Sequence, residues 1–291
     1  MTPGGSAPPS QFVRSAFWAV LTAVSFAIMM TSVRSMEGKF DAFEIVFFRA
    51  VVGLFIPLVS RFGIGALKTT RMPMHVVRTL FGLFAMATLY YALADIPVAQ
   101  VIALTFLIPL FTTVAAGVVL GETVGIHRWA ATLVGFAGAI VIIRPGVAEI
   151  SLPVLLVVLS SALYAGSWSS VKILTRTDSA AVTVFWLNVL MVPLTAIPLI
   201  FLWVTPDWSD APALLVMALS GWSAHFCQAR AFEKSDASAV MPFDFLRLPL
   251  GVLFGFVLFG ELIDMWTWGG AVIIFIAGYY ITRREAMRSA R

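Results

Sequence analysis

The sequence predicts an all-α polytopic membrane protein, with ten transmembrane helices in two inverted five-helix repeats. Three observations predict it. Hydrophobic residues make up 60% of the 291 positions and charged residues 12%, with a mean hydropathy of +0.96, whereas soluble domains carry about 45–50% apolar and about 25% charged residues. The apolar residues fall into separate segments of about 18–23, the length at which a helix rising about 1.5 Å per residue crosses roughly 30 Å of hydrocarbon. Finally, one block is written twice: "IPVAQVIALTFLIPLFTTVAAGVVLGE" ends at Glu122 and "SDASAVMPFDFLRLPLGVLFGFVLFGE" ends at Glu261. Five crossings per copy is an odd number, so the second copy enters the membrane upside down relative to the first.

In chain order, residues 1–13 open with a Pro/Gly/Ser-rich stretch and are expected to form a disordered tail. The spans are expected near 14–33, 43–60, 75–94, 97–119 and 127–144, then near 152–172, 180–202, 212–231, 237–259 and 265–282. Residues 14–144 are thus the first repeat, 152–283 the second, and 284–291 a basic tail. Span 1 lacks a small-residue cleavage site and is followed by nine more spans, so it is read as retained. Continuous apolar runs, rather than alternating ones, exclude an outer-membrane barrel. The repeat sets Arg34 opposite Lys172 and Arg49 opposite Asn188, and it aligns Trp129 with Trp268 and Arg144 with Arg283.

The charges give the orientation. With both termini in the cytoplasm, fourteen Lys and Arg fall on that side, Lys68, Arg78 and Lys234 among them, against Arg34, Lys39 and Arg144 outside. That bias over short loops is the positive-inside pattern. Charges flanking spans in this way also account for the net +4 without a nucleic-acid partner. Cys227 is the lone cysteine, and His75, His127 and His225 lie on different segments, so neither a disulfide framework nor a metal centre is expected. No phosphate-binding loop is present and no cofactor is expected. Membrane lipid and a small metabolite are the expected partners.

Small residues spaced by four, such as Gly251 and Gly255, read as helix-packing faces. Pro109 and Pro249 each remove a donor inside a span, freeing the carbonyls of Thr105 and Phe245, and are candidate kinks beside a central pathway. A charge at mid-depth must face protein or a polar cavity. Asp244 and Arg247 lie one helical turn apart, with Arg247 about 15 Å into its span, and they lead the candidate substrate-binding residues. His225 and Gln228 form a second pair, and Tyr164, Trp168 and Trp186 offer flat apolar surface. Arg49, Tyr90 and Tyr91 complete the set, Arg49 with the alternative of reaching outward to the interface. Asp244 and His225 are the candidates for proton coupling, and Gly-Glu at 121–122 and 260–261 is read as structural.

The stretches "FFRAVVGL", "RTLFGLFAMATLYYALADIPVAQVIALTFLIPLF" and "LGETVGIHRWAATLVGFAGAIVIIRPG", with the fainter second copy ending in "LFGE", resemble the EamA group of the drug/metabolite transporter superfamily. The likeness covers residues 14–283. It implies ten spans around a central cavity, a bacterial inner-membrane location and secondary transport by alternating access rather than catalysis. The lead expectation is export of a small amino-acid-like or nucleoside-containing metabolite. Uptake of S-adenosylmethionine or a riboflavin-like metabolite is the alternative, ahead of drug efflux or a channel. The second copy departs from the usual pattern in "MPFDFLRLPL", whose carboxylate and guanidinium could meet a zwitterion.

Overall fold

The computed structural model describes residues 9–36, 38–59, 68–118, 126–144, 151–174, 177–233 and 246–289. Asp244, Glu122 and Lys234 lie outside them, as does most of the expected N-terminal tail. The described residues form eleven α-helices and one short 3-10 turn. The helices are α1 (Pro9–Ser35), α2 (Ala42–Val59), α3 (Met72–Asp95), α4 (Val98–Thr105), α5 (Ile108–Val118), α6 (Ile126–Ile143), α7 (Leu152–Leu174), α8 (Ala180–Leu202), α9 (Ala211–Glu233), α10 (Arg247–Phe259) and α11 (Met265–Ser289). Five stretches are long and apolar enough to cross a membrane, and three further apolar helices are shorter. Two expected boundaries move: α1 starts at Pro9, inside the stretch 1–13, and α11 runs on to Ser289 through the stretch read as a basic tail. Proline fits the start of α1 because the first helical N–H needs no partner.

Four helix pairings carry most of the packing: α1 on α9, α3 on α7, α2 on α8 and α6 on α11. The lesser contacts include α2 on α9, α3 on α8, α5 on α7 and α1 on α10. Exchanging α1 with α7, α2 with α8, α3 with α9, α5 with α10 and α6 with α11 converts each of these contacts into another of the same set or, for α2 on α8 and α6 on α11, into itself. The packing therefore has an internal pseudo-symmetry. A close crossing joins α6 to α11, where a Cβ on Gly270 would stand 2.5 Å from the Gly138 carbonyl oxygen and one on Gly138 would stand 2.9 Å from the Gly270 oxygen. Only glycines let the two backbones meet there. Outward faces are apolar, with Leu133, Ile140, Leu155, Leu159, Ile200 and Val257 all exposed, as a lipid-facing surface requires.

Span 4 is broken as Pro109 predicts. Helix α4 stops at Thr105, and Phe106 and Leu107 donate to Ala103 and Leu104 in a tightened turn before α5 begins. Pro249 has a similar place, as Pro109 is the second residue of α5. It sits in the first turn of α10, where the missing N–H leaves no helical bond unmade. Helix α10 begins at Arg247, 139 residues after α5 begins at Ile108, which is the offset between Glu122 and Glu261 (247 − 108 = 261 − 122).

The ends of the bundle are tied across the two matched stretches. At one end, Arg34 Nε donates to Glu261 Oε1 at 3.1 Å, and its Nη1 donates to the Leu93 and Ala94 carbonyls. The other Glu261 oxygen accepts the first N–H of α4, from Val98, at 2.9 Å. A carboxylate at a helix N-terminus is favoured by the helix dipole and the free amides. Glu261 reaches that place because Gly260 adopts φ +66° and turns the chain back over the end of α10. Nearby, Lys39 pairs with Asp210 at 2.7 Å and Asp207 at 3.1 Å, and Arg144 with Asp264 at 2.8 Å. The hydrogen bonds to Asp210 and Asp207 raise the Lys39 ammonium above its usual range, and the same bond holds Asp210 below the usual carboxylate range.

At the other end, His75 Nε2 lies 2.8 Å from Asp178 Oδ2, which also accepts from Thr69 Oγ1 at 2.6 Å. Burial works to raise the Asp178 carboxyl, but the bonds from Thr69, His75 and Thr177 outweigh it and hold it below its ordinary value. These two ends lie about 27 Å apart along α3, measured from His75 to Leu93 at about 1.5 Å per residue.

Candidate functional site

Between the two ends lies a buried centre built from seven helices. Arg49 is fixed by its place on the inner face of α2, seven residues after the helix begins, and is 2% exposed. Its Nη2 donates to the thioethers of Met86 on α3 at 3.1 Å and Met191 on α8 at 3.2 Å. Met29 on α1 receives the Tyr90 hydroxyl at 3.6 Å. Arg247, at the start of α10, holds its guanidinium carbon 4.0 Å from the centre of the Phe26 ring, a cation–π contact. Phe26 in turn meets the His225 ring edge-on at 5.4 Å. Tyr164 on α7 is buried and within electrostatic reach of Tyr90, Arg49 and Arg247. The charges of Arg49, Arg78 and Arg247 all bear on His225.

The centre is thus rich in donors, aromatic faces and sulfur. Guanidinium forks suit planar acceptor groups, aromatic rings stack on flat ligands, and thioethers adapt to varied shapes. Among the described residues no group of three or more His, Cys, Asp or Glu could hold a metal ion.

Five of the residues singled out from the sequence come together here: Arg49, Tyr90, Tyr164, His225 and Arg247. Four others do not. Trp186 stands 6.4 Å from His75 at the Asp178 end, and Trp168 packs half-buried against the apolar core. Gln228 is half-buried one turn beyond His225. Tyr91 is at the Arg34 end, donating to Asp41. A cavity of about 320 Å³ opens there, lined by Tyr90, Tyr91, Phe40, Lys39 and Asp41 among others, so Tyr90 separates this vestibule from the centre. Asp244, the intended partner of Arg247, lies outside the described residues.

Two expectations change. Arg49 does not reach out to an interface, because Met86 and Met191 receive it inside the bundle. Arg78, counted among the cytoplasmic charges, is 4% exposed and donates to the Thr183 carbonyl, since α3 begins six residues before it and carries it inward. The methionines and Phe26 went unnoticed in the sequence because thioethers and phenyl rings in an apolar helix look like core. Asp178 went unnoticed because it precedes a span, where acids are commonplace.

The profile of the EamA-like transporter family matches residues 13–144 and again residues 151–283. A riboflavin transporter of Rhizobium johnstonii is 32% identical over 97% of this chain and 95% of its own. An S-adenosylmethionine uptake transporter of Rickettsia prowazekii is 28% identical over 92% of each. In three dimensions the chain superposes on a solved crystal structure with a TM-score of 0.64 at 18% identity, covering 97% of this chain and 100% of the other, which speaks for the fold alone. With the apolar helices, the internal pseudo-symmetry and the buried polar centre, these likenesses identify the chain as a bacterial multi-pass membrane transporter of the EamA-like family.

Proposed function

We propose that this transporter moves a flat heteroaromatic metabolite bearing polar acceptor groups, riboflavin or a close chemical relative, by alternating access between two inverted five-helix halves. The observation that carries the substrate class is the near full-length likeness to a riboflavin transporter, and the chemistry of the centre supports it. An isoalloxazine ring offers a face to Phe26 and Tyr164, and carbonyl oxygens to Arg247. Uptake follows from the same likenesses, one of which is to a carrier named for uptake. The amino-acid export expected first from the sequence leans on Asp244 as the partner of a substrate ammonium, and Asp244 lies outside the described residues. Alternating access is supported by a centre whose groups come from both matched stretches, with α1, α2 and α3 on one side and α7, α8, α9 and α10 on the other. The positive-inside bias of the short loops supports both termini in the cytoplasm, with the Arg34 end outside.

Counterflow in liposomes carrying only this protein tests the reading. Preloaded riboflavin should accelerate entry of labelled riboflavin, saturably. Entry that neither saturates nor responds to preloading removes the carrier reading, and saturable counterflow of S-adenosylmethionine in preference to riboflavin replaces the substrate. An imposed pH gradient in the same vesicles tests proton coupling, for which His225 is the described candidate. A gradient that leaves entry unchanged rejects it.

A further inference from the structure

We propose, building on the carrier reading above, that Arg49 is the docking point for an oxyanion group of the substrate, a carboxylate or a phosphate. What Arg49 does not touch carries this role. Its guanidinium carries five donors. Nevertheless, the acceptors of its Nη2 are two thioether sulfurs, which are weak acceptors, and its Nε meets no hydrogen-bond partner among the described residues. No described carboxylate is paired with it. The other arginines show what a structural guanidinium looks like in this protein: Arg34 takes a carboxylate and two carbonyls, and Arg78 takes a carbonyl. Arg49 is more deeply buried than either, with no comparable partner.

The surroundings are made to hold the fork rather than to neutralise it. On α9, Gly221 faces the arginine stem, and a Cβ there would stand 2.9 Å from Arg49 Cδ and 3.0 Å from Met29 Sδ. That glycine lets the side chain lie extended across the centre. Arg78 and Arg247 add positive potential around His225, so a cation is repelled and an anion drawn in. Methionine is the side chain best able to withdraw when a stronger acceptor arrives, because its unbranched chain re-packs readily. An oxyanion would replace both sulfurs with a bidentate, charge-assisted pair. Met86 and Met191 belong to different matched stretches, so displacing them changes contacts on both sides of the pseudo-symmetry at once.

Thermal unfolding of the purified full-length protein tests this with two matched ligand pairs, riboflavin with riboflavin 5′-phosphate and adenosine with adenosine 5′-phosphate. In the wild type, the phosphorylated member of at least one pair should bind more tightly than its neutral partner. Arg49→Met should fold with an unchanged or higher midpoint, since it removes a buried charge, and should weaken binding of that phosphorylated ligand about tenfold or more while leaving the neutral partner within about twofold. Ile142→Val, at the α6–α11 crossing and away from the centre, serves as the control for packing alone and should keep the preference for the phosphorylated ligand. Equal binding within both pairs, or a preference that survives in Arg49→Met, overturns the docking role. If Arg49→Met does not fold, loss of the preference is read in Arg49→Lys, whose point charge should weaken but not erase it, and an undiminished preference there overturns the role as well. A preference in the adenosine pair alone keeps the oxyanion site and removes the flavin reading, whereas saturable riboflavin counterflow with no preference in either pair does the reverse.

Discussion

Three arginines and a glutamate show how differently one charge behaves at different depths. Glu261 is held by Arg34 and by the α4 amide at once, so Glu261→Gln leaves Arg34 without its counter-ion and α4 without an anionic cap. The expected cost is on the order of 3 kcal/mol, read as a lowered unfolding midpoint in detergent. Arg247→Leu is expected to fold and to lose transport, because its cation–π contact with Phe26 lies in the proposed binding centre. Arg247→Lys should also be impaired, since an ammonium cannot reproduce the planar fork. Retained saturation and rate in Arg247→Leu would remove it from the site. Asp178 carries a pH signature. Its carboxyl is held below the ordinary value in the fold, so it contributes stability above the pH at which an unfolded aspartate titrates and loses it as pH falls through the lowered value. Asp178→Asn should flatten that acid limb, and an unchanged acid limb would mean the bonds to Thr69 and His75 are immaterial to folding. At this scale the sequence marked Arg49, His225 and Arg247 because charge in an apolar run is legible. It did not mark Met86 or Met191, because what distinguishes them is the atom they face and not their type.

Helices were the most legible level. Apolar length and loop charge placed nearly every element within a few residues, and Pro109 located the break between α4 and α5 through the donor it lacks. What the sequence could not show was which small residues bring backbones together. The Gly-x-x-x-Gly spacing pointed to Gly251, where a Cβ would stand 2.4 Å from Ile102 Cδ1, but not to the crossing of Gly138 with Gly270, one glycine from each of two helices, a relation no spacing within either helix contains. Gly270→Val should force α6 and α11 apart at a cost of about 1–3 kcal/mol. The same substitution at Gly269, which a Cβ would leave in open space, should be tolerated. Equal unfolding midpoints for the two variants would show that the crossing has room to adjust.

For the whole molecule, the written-out repeat in the sequence corresponds to a set of helix contacts that map onto one another, and the inverted arrangement proposed above predicts that both ends of each half are distinguishable by side. Single cysteines placed at Lys68 and Lys234 should react with an impermeant reagent from the same face of the membrane, and labelling from opposite faces would refute the inversion. The ion pairs at the Arg34 end add a direction to this assembly. Arg34, Lys39 and Arg144 precede residue 145, while their acidic partners Asp207, Asp210, Glu261 and Asp264 follow residue 151. In these four ion pairs every cation comes from the first stretch and every anion from the second. If the peptide chain were severed between residues 144 and 151 and the two fragments made together, each fragment would recognise its complement by charge and reject a second copy of itself at that end. The reconstituted pair should come apart more readily as ionic strength rises.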